Sequence, residues 1–191
     1  HGKGGAVMLC AEAALRSGAG LVDVATRAGH VQALLSRRPE AMAHAVDAAA
    51  DLGGLAEKAD VVAIGPGLGQ AEWGTALFSA SIDSGKPLVV DADALNLLAA
   101  SPRQLRDDVV LTPHPGEAAR LLSTTTREVQ ADRRAAAQAL CERYGCVVVL
   151  KGAGTVIAGP GRITCIIDAG NPGMAVGGMG DVLTGVIAAL R

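Results

Sequence analysis

VVAIGPGLGQAEWGTALFSASIDSGKPLVVDADAL, Val61 to Leu95, reads as a short apolar strand, a glycine turn, a helical stretch and a second apolar strand ending in acids. Strands that alternate with helices in this way build a parallel sheet with helices on both faces. Outward from this unit the alternation continues in both directions. Strands are expected at Leu21 to Thr26, Met42 to Val46, Val61 to Ile64, Leu88 to Asp91, Val109 to Leu111 and Val147 to Leu150. Helices are expected at Gly5 to Ser17, Ala71 to Ser84, Ala94 to Ala99, Gly116 to Leu122 and Arg127 to Tyr144, with a further apolar run from Val182 to Leu190. Thr125 and Glu128 form a capping box before the Arg127 helix, and Gly145 stops it. After Lys151 the pattern changes. Thr155 to Ala158 and Arg162 to Ile167 flank Gly159-Pro160-Gly161, a turn suited to an antiparallel hairpin, so the sheet ends in a mixed edge.

The 191 residues fit a single domain, and no repeat or linker divides it. Half of the chain is hydrophobic but only Trp73, Phe78 and Tyr144 are aromatic, so the core is built from Ala, Val, Leu and Ile. With 17 basic and 19 acidic residues the net charge of -2 offers no footprint for nucleic acid and no polybasic membrane patch. A small-molecule ligand is expected. The four cysteines, Cys10, Cys141, Cys146 and Cys165, contain no C-x-x-C pair and read as reduced thiols. No unbroken apolar stretch spans a bilayer and no secretory signal opens the chain, which makes cytoplasmic the simplest expectation. A chain that starts at His1 inside a glycine-rich segment and stops inside a helical run reads as part of a longer protein, truncated at both ends.

In open α/β sheets the ligand crevice lies beyond the carboxyl ends of the strands. Unusual residues recur there. Gly65-Pro66-Gly67-Leu68-Gly69 follows the Val61 strand and allows close backbone approach, although it also serves as a plain turn. Asp91-Ala92-Asp93-Ala94-Leu95-Asn96 follows the next, and the expected task of Asp93 is to cap a helix. Thr112-Pro113-His114-Pro115-Gly116-Glu117 pins one imidazole between two prolines, where it either meets a ligand or caps the helix that Pro115 starts. Lys151-Gly152-Ala153-Gly154-Thr155 follows four apolar residues; without the G-x-x-x-x-G-K spacing it is no Walker loop, and Lys151 suits holding a nucleotide. Gly2-Lys3-Gly4-Gly5-Ala6 is a weaker, second anion-facing turn.

The densest signal is Asn171 to Gly185, NPGMAVGGMGDVLTG, with five glycines and one acid before the last apolar run. Free amides at a helix start, aided by the helix dipole, form an anion site between Gly177 and Gly180. Asp181 beside it either caps the helix or takes a proton from a hydroxyl, and the glycine density points to the second.

Taken in order, GPGLG, VVDADALN (Val89 to Asn96), LTPHPGEAARLL (Leu111 to Leu122), VVVLKGAGTVIA (Val147 to Ala158) and NPGMAVGGMGDVLTG resemble the ADP-dependent NAD(P)H-hydrate dehydratase family, and ALRSGAGLVDVAT (Ala14 to Thr26) extends the resemblance. It implies a ribokinase-like α/β three-layer sandwich with a mostly parallel sheet. It also implies repair of the S form of hydrated NADH or NADPH (NADHX, NADPHX), driven by ADP or ATP, with AMP or ADP and phosphate released. Mg2+ would arrive with the nucleotide, and no dedicated protein metal site is expected. By the same resemblance, Lys151, Gly152, Ala153, Gly154, Thr155 and Gly180 would hold the nucleotide; Ala6, Gly67, His114 and Asp181 would contact the hydrated dinucleotide, with Asp181 the catalytic base. A homo-oligomer, and an NAD(P)H-hydrate epimerase fused or acting alongside, belong to the same expectation. Family members begin with a further strand and glycine-rich turn before Ala6, which the present chain does not contain. The rival readings are an alcohol kinase of the same fold and a non-catalytic nucleotide-binding module.

Overall fold

Short valine-rich runs fit a pleated, buried surface, and their register sets which side chains share a face. In the computed structural model, which describes residues 3–191, the strands are β1 (Asp23–Thr26), β2 (Met42–Ala45), β3 (Val62–Ile64), β4 (Leu88–Val90), β5 (Val109–Leu111), β6 (Val147–Leu150), β7 (Thr155–Ala158) and β8 (Cys165–Ile167). Strands β3 to β8 form one sheet in chain order, parallel from β3 to β6 and antiparallel from β6 to β8. The expected mixed edge is therefore present. Among the described residues, strands β1 and β2 pair in parallel with each other only.

The helices are α1 (Gly4–Arg16), α2 (Ala28–Arg37), α3 (Gly53–Lys58), α4 (Glu72–Asp83), α5 (Ala92–Ala100), α6 (Pro115–Leu122), α7 (Thr126–Ala131), α8 (Arg133–Tyr144) and α9 (Met179–Ala189). Ile64, Val90, Leu111 and Val148 are neighbours in register, so they line one face of the sheet. Phe78, Leu95, Leu98, Leu121, Leu140 and Tyr144 from α4, α5, α6 and α8 close over that face as the main core. Val89 and Val110, one residue out of phase, point to the opposite face. There α9 packs on β3 and β4, and α1 packs along α9. That contact is tight: a Cβ on Gly185 would lie 2.1 Å from the Cys10 carbonyl oxygen, so only glycine lets the two backbones meet.

Two expectations change. The single helix from Arg127 to Tyr144 is two helices, because Asp132 leaves helical geometry (φ −144°, ψ 87°) and its carboxylate accepts from the Ala135 amide to start α8. The Thr125–Glu128 capping box holds as expected, but at the head of the short α7. Helices α2 and α3 were not foreseen. Cys10, Cys141 and Cys146 are buried free thiols and Cys165 is an exposed one. Among the described residues no helix is long and apolar enough to cross a membrane.

Candidate active site at the strand ends

Four parallel strands stop side by side, and each hands its next residues to the same edge of the sheet. Beyond β4 stands Asp91, only 1% exposed. It occupies the N-cap position of α5, yet its carboxylate does not cap. Oδ1 instead receives the Lys151 ammonium at 2.7 Å, and Oδ2 accepts from the Thr184 hydroxyl on α9 at 2.8 Å. Lys151 thus ties the end of β6 to the end of β4. Its own amide donates to the Pro113 carbonyl at 2.8 Å, which ties it to the residues after β5 as well. A neutral replacement for Lys151 would strand a buried carboxylate.

Helix α9 brings its first turn to this pair. The space where a Cβ of Gly180 would stand is 3.3 Å from Lys151 Nζ and 3.6 Å from Asp91 Oδ2. A bare backbone at Gly180 keeps that volume open. Asp181 follows on the same turn, three residues past the Gly178 N-cap, so the capping alternative does not apply to it. Burial, and then the charge of Asp91, raise the Asp181 carboxyl above its ordinary value of 3.8, while Lys151 draws it back down. Glu117 is likewise buried, 3.8 Å from Lys151 Nζ, and burial raises it against the pull of Lys151. Three carboxylates, Asp91, Glu117 and Asp181, therefore share one ammonium. On α1, the helix packed along α9, burial pushes the Cys10 thiol up to about 12, with Asp181 and Asp91 adding to it, so this thiol stays protonated.

His114 performs the capping alternative foreseen for it. Nδ1 accepts from the Gly116 amide at 3.0 Å and the Glu117 amide at 3.3 Å, while Glu117 Oε2 accepts from the His114 amide at 2.8 Å. An accepting Nδ1 places the proton of the neutral ring on Nε2. The ring is half-exposed, and Nε2 stands 3.5 Å from Glu117 Oε1.

Asp93 corrects the expectation of a cap. Its carboxylate takes the Gly69 amide at 2.8 Å and the Lys3 ammonium at 2.9 Å. This clamp joins the turn after β3, which holds Gly67, to the start of α1, where the Ala6 amide donates to the Lys3 carbonyl. Gly2, counted with the same turn, lies outside the described residues. The charge of Asp93 also reaches Asp181. So Ala6 and Gly67 form one cluster, Lys151, Gly180, Asp181 and His114 another, and the two meet across Asp181. Residues 152–154 make the exposed link from β6 to β7, and Thr155 turns its hydroxyl to the Gly152 carbonyl at 3.0 Å. A 620 Å³ cleft lies beside this arrangement, lined by Gln70, Asn96, Ala99, Ala100 and Arg120; Gln70 links the two by donating to Asp93 at 3.4 Å.

Among the described residues no three His, Cys, Asp or Glu side chains gather to hold a metal. An anion-facing helix start, a fixed lysine and a carboxylate of raised pKa make a site for activating a hydroxyl against a phosphoryl group. Sequence reasoning gives no part in the site to Asp91, Thr184 or Glu117; an acid directly after an all-apolar strand is the available signal for Asp91.

A family model described as NAD(P)H-hydrate dehydratase matches residues 1–190. The chain belongs to that family. Within it, the bifunctional NAD(P)H-hydrate repair enzyme Nnr of Coxiella burnetii is 54% identical over 190 residues, covering 100% of this chain and 39% of that protein. The present chain thus spans about two fifths of that relative's length. The Bacillus subtilis ADP/ATP-dependent NAD(P)H-hydrate dehydratase co-crystallized with ATP/Mg2+ superposes with a TM-score of 0.84 at 32% identity, covering 98% of this chain and 68% of that one. A ribokinase-like superfamily protein of Enterococcus faecalis superposes at 0.90 with 33% identity, covering 98% of this chain and 66% of that one. The ribokinase-like fold expected for a member of the NAD(P)H-hydrate dehydratase family is the fold seen here.

Proposed function

We propose that this chain carries the nucleotide-driven dehydration of the S form of hydrated NADH or NADPH. The observation that carries the reading is the placement of Asp181. A half-buried carboxylate of raised pKa sits on the first turn of a glycine-headed helix, beside a lysine held by a buried acid. In this reading, the free amides at the head of α9, Lys151 and residues 152–155 hold the nucleotide phosphates, while Ala6, Gly67 and His114 hold the dinucleotide. The hydroxyl oxygen of the hydrate attacks the terminal phosphorus of ADP, the bond to the AMP oxygen breaks, and Asp181 takes the hydroxyl proton. The phosphate so attached then leaves with its C–O bonding pair, a proton is lost from the neighbouring ring carbon, and the dihydronicotinamide is restored. Hydroxide is a poor leaving group and phosphate a good one, which is the reason for spending a nucleotide. General base action of this kind contributes about 10²- to 10⁴-fold in rate.

Magnesium accompanies the nucleotide in this proposal. Mg2+ keeps most of its waters and binds through phosphates plus one or two carboxylates rather than a protein cage. Glu117, an oxygen donor 3.8 Å from Lys151 Nζ, suits that need. The bound ion would neutralise charge on the transferred phosphoryl group.

The test is to incubate the chain with hydrated NADH and ADP or ATP, following reduced-cofactor absorbance alongside AMP or ADP. Recovery of NADH matched by nucleotide product is the expected result. A stable phosphorylated alcohol would mark a kinase instead, and binding without turnover would mark a module that lacks the chemistry.

A further inference from the structure

We propose that Arg133 is a positioning residue of the nucleotide site, holding the link from β6 to β7 with its amides turned outward. This rests on the reading that residues 151–155 hold the nucleotide. Arg133 is the first residue of α8, and its Nη2 lies 3.1 Å from the Leu150 carbonyl oxygen, 3.2 Å from that of Lys151 and 3.2 Å from that of Gly154. Nη1 donates to the Gln130 side chain at 3.0 Å. One planar group thus gathers three acceptors of a single short link.

The donors of that link are left over. Among the described residues, the amides of Gly152, Ala153 and Gly154 have no partner within the chain. A loop whose carbonyls are drawn inward and whose N–H groups face out is a receptor for an anion, as in other backbone nests. Gly152 is where the two features meet. Its φ of +143° excludes side chains, and a Cβ there would stand 2.6 Å from Arg133 Nη1. The guanidinium itself has no carboxylate partner among the described residues, and its Nε is buried without an acceptor. Burial accordingly lowers its proton affinity. An uncompensated cation directly behind outward amides adds to the attraction for phosphate. The chemical class this favours is the polyphosphate of a nucleotide.

The experiment measures ADP affinity by calorimetry, and separate KM values for ADP and hydrated NADH, in Arg133→Ala, Arg133→Lys and Gly152→Val. Removing hydrogen bonds to a charged group is expected to raise the Kd and KM for ADP by about ten- to a hundredfold in Arg133→Ala. The KM for hydrated NADH is expected to stay at the wild-type value. Lysine restores the charge but not the fork, so Arg133→Lys is expected to fall between alanine and wild type. An unchanged ADP Kd in Arg133→Ala, with binding lost in Gly152→Val, overturns the role of Arg133 alone. Unchanged ADP binding in Gly152→Val overturns the nucleotide reading of the loop and this proposal with it. Equal rises in both KM values together with a lowered Tm would mark a merely structural arginine and also overturn it. Where the alanine variant does not fold, Arg133→Gln carries the test under the same criteria.

Discussion

Acids meet cations at two places in this molecule, and the charge balance there differs in sign. On α1, the single carboxylate of Glu12 meets three guanidiniums, Arg16, Arg37 and Arg38. The hydrogen bond from Arg38 is the main cause that lowers the Glu12 carboxyl to about 2. At the strand ends, Asp91, Glu117 and Asp181 have one ammonium among them in the described residues, Lys151, with the His114 ring 3.5 Å from Glu117, and two of the three carboxyls are raised. The first group has all the cation it needs and fastens α1 to the end of α2. The second keeps surplus negative charge beside a helix start, an arrangement that gains when a proton or a hydrated cation enters. Acid content alone does not mark the site; the shortage of cations does.

The sharpest way to break this contrast is Asp181→Asn. Turnover is expected to fall by about 10²- to 10⁴-fold, the range of a lost general base, while ADP affinity measured by calorimetry stays near wild type. Retained turnover would remove Asp181 from the mechanism. Next in size, Lys151→Met leaves Asp91 buried without its partner, and unfolding in denaturant is expected to show a loss of about 3–5 kcal/mol, with weaker ADP binding.

A pH profile of kcat sharpens the contrast further. A base must be ionised to act, so turnover rises with pH through the Asp181 pKa, and the limb is expected above the ordinary 3.8 because that pKa is raised. Lys151 lowers it, so the limb in Lys151→Met is expected at higher pH still. The smallest effect belongs to the other group. A depressed carboxyl stabilises the fold above its unfolded value of 4.5 and loses that contribution as pH falls through about 2. The Tm difference between wild type and Glu12→Gln is therefore expected to be full at neutral pH and to shrink between pH 4.5 and 2, with turnover unaffected.

Much of this frame was readable before the fold was seen. Strands β5 and β6 fall where their apolar runs end, and Lys151 and the NPGMAVGGMGD turn stand where strand-end logic puts a ligand. What escaped depends on partners far along the chain. Asp93 looked like a cap because local pattern cannot show Lys3, 90 residues away, or the Gly69 amide. Asp91 meets Lys151 and Thr184 across 60 and 93 residues. Arg133 left no trace because it binds main-chain carbonyls, which carry no residue identity. Helix α2 begins at Ala28 after Arg27, whose side chain makes no cap, and buries only Leu34, so neither its start nor its face was marked. The break at Asp132 hid in a stretch whose composition is helical throughout.

The central claim is that the head of α9 and Lys151 receive a nucleotide phosphate while Asp181 faces the substrate hydroxyl. A crystal soaked with ADP and Mg2+ tests it most directly. The account predicts phosphate oxygens within hydrogen-bond distance of the Gly180 amide and of Lys151 Nζ, with Asp181 left open towards the Gly67 turn. A nucleotide seated elsewhere, with that helix start empty, would contradict it.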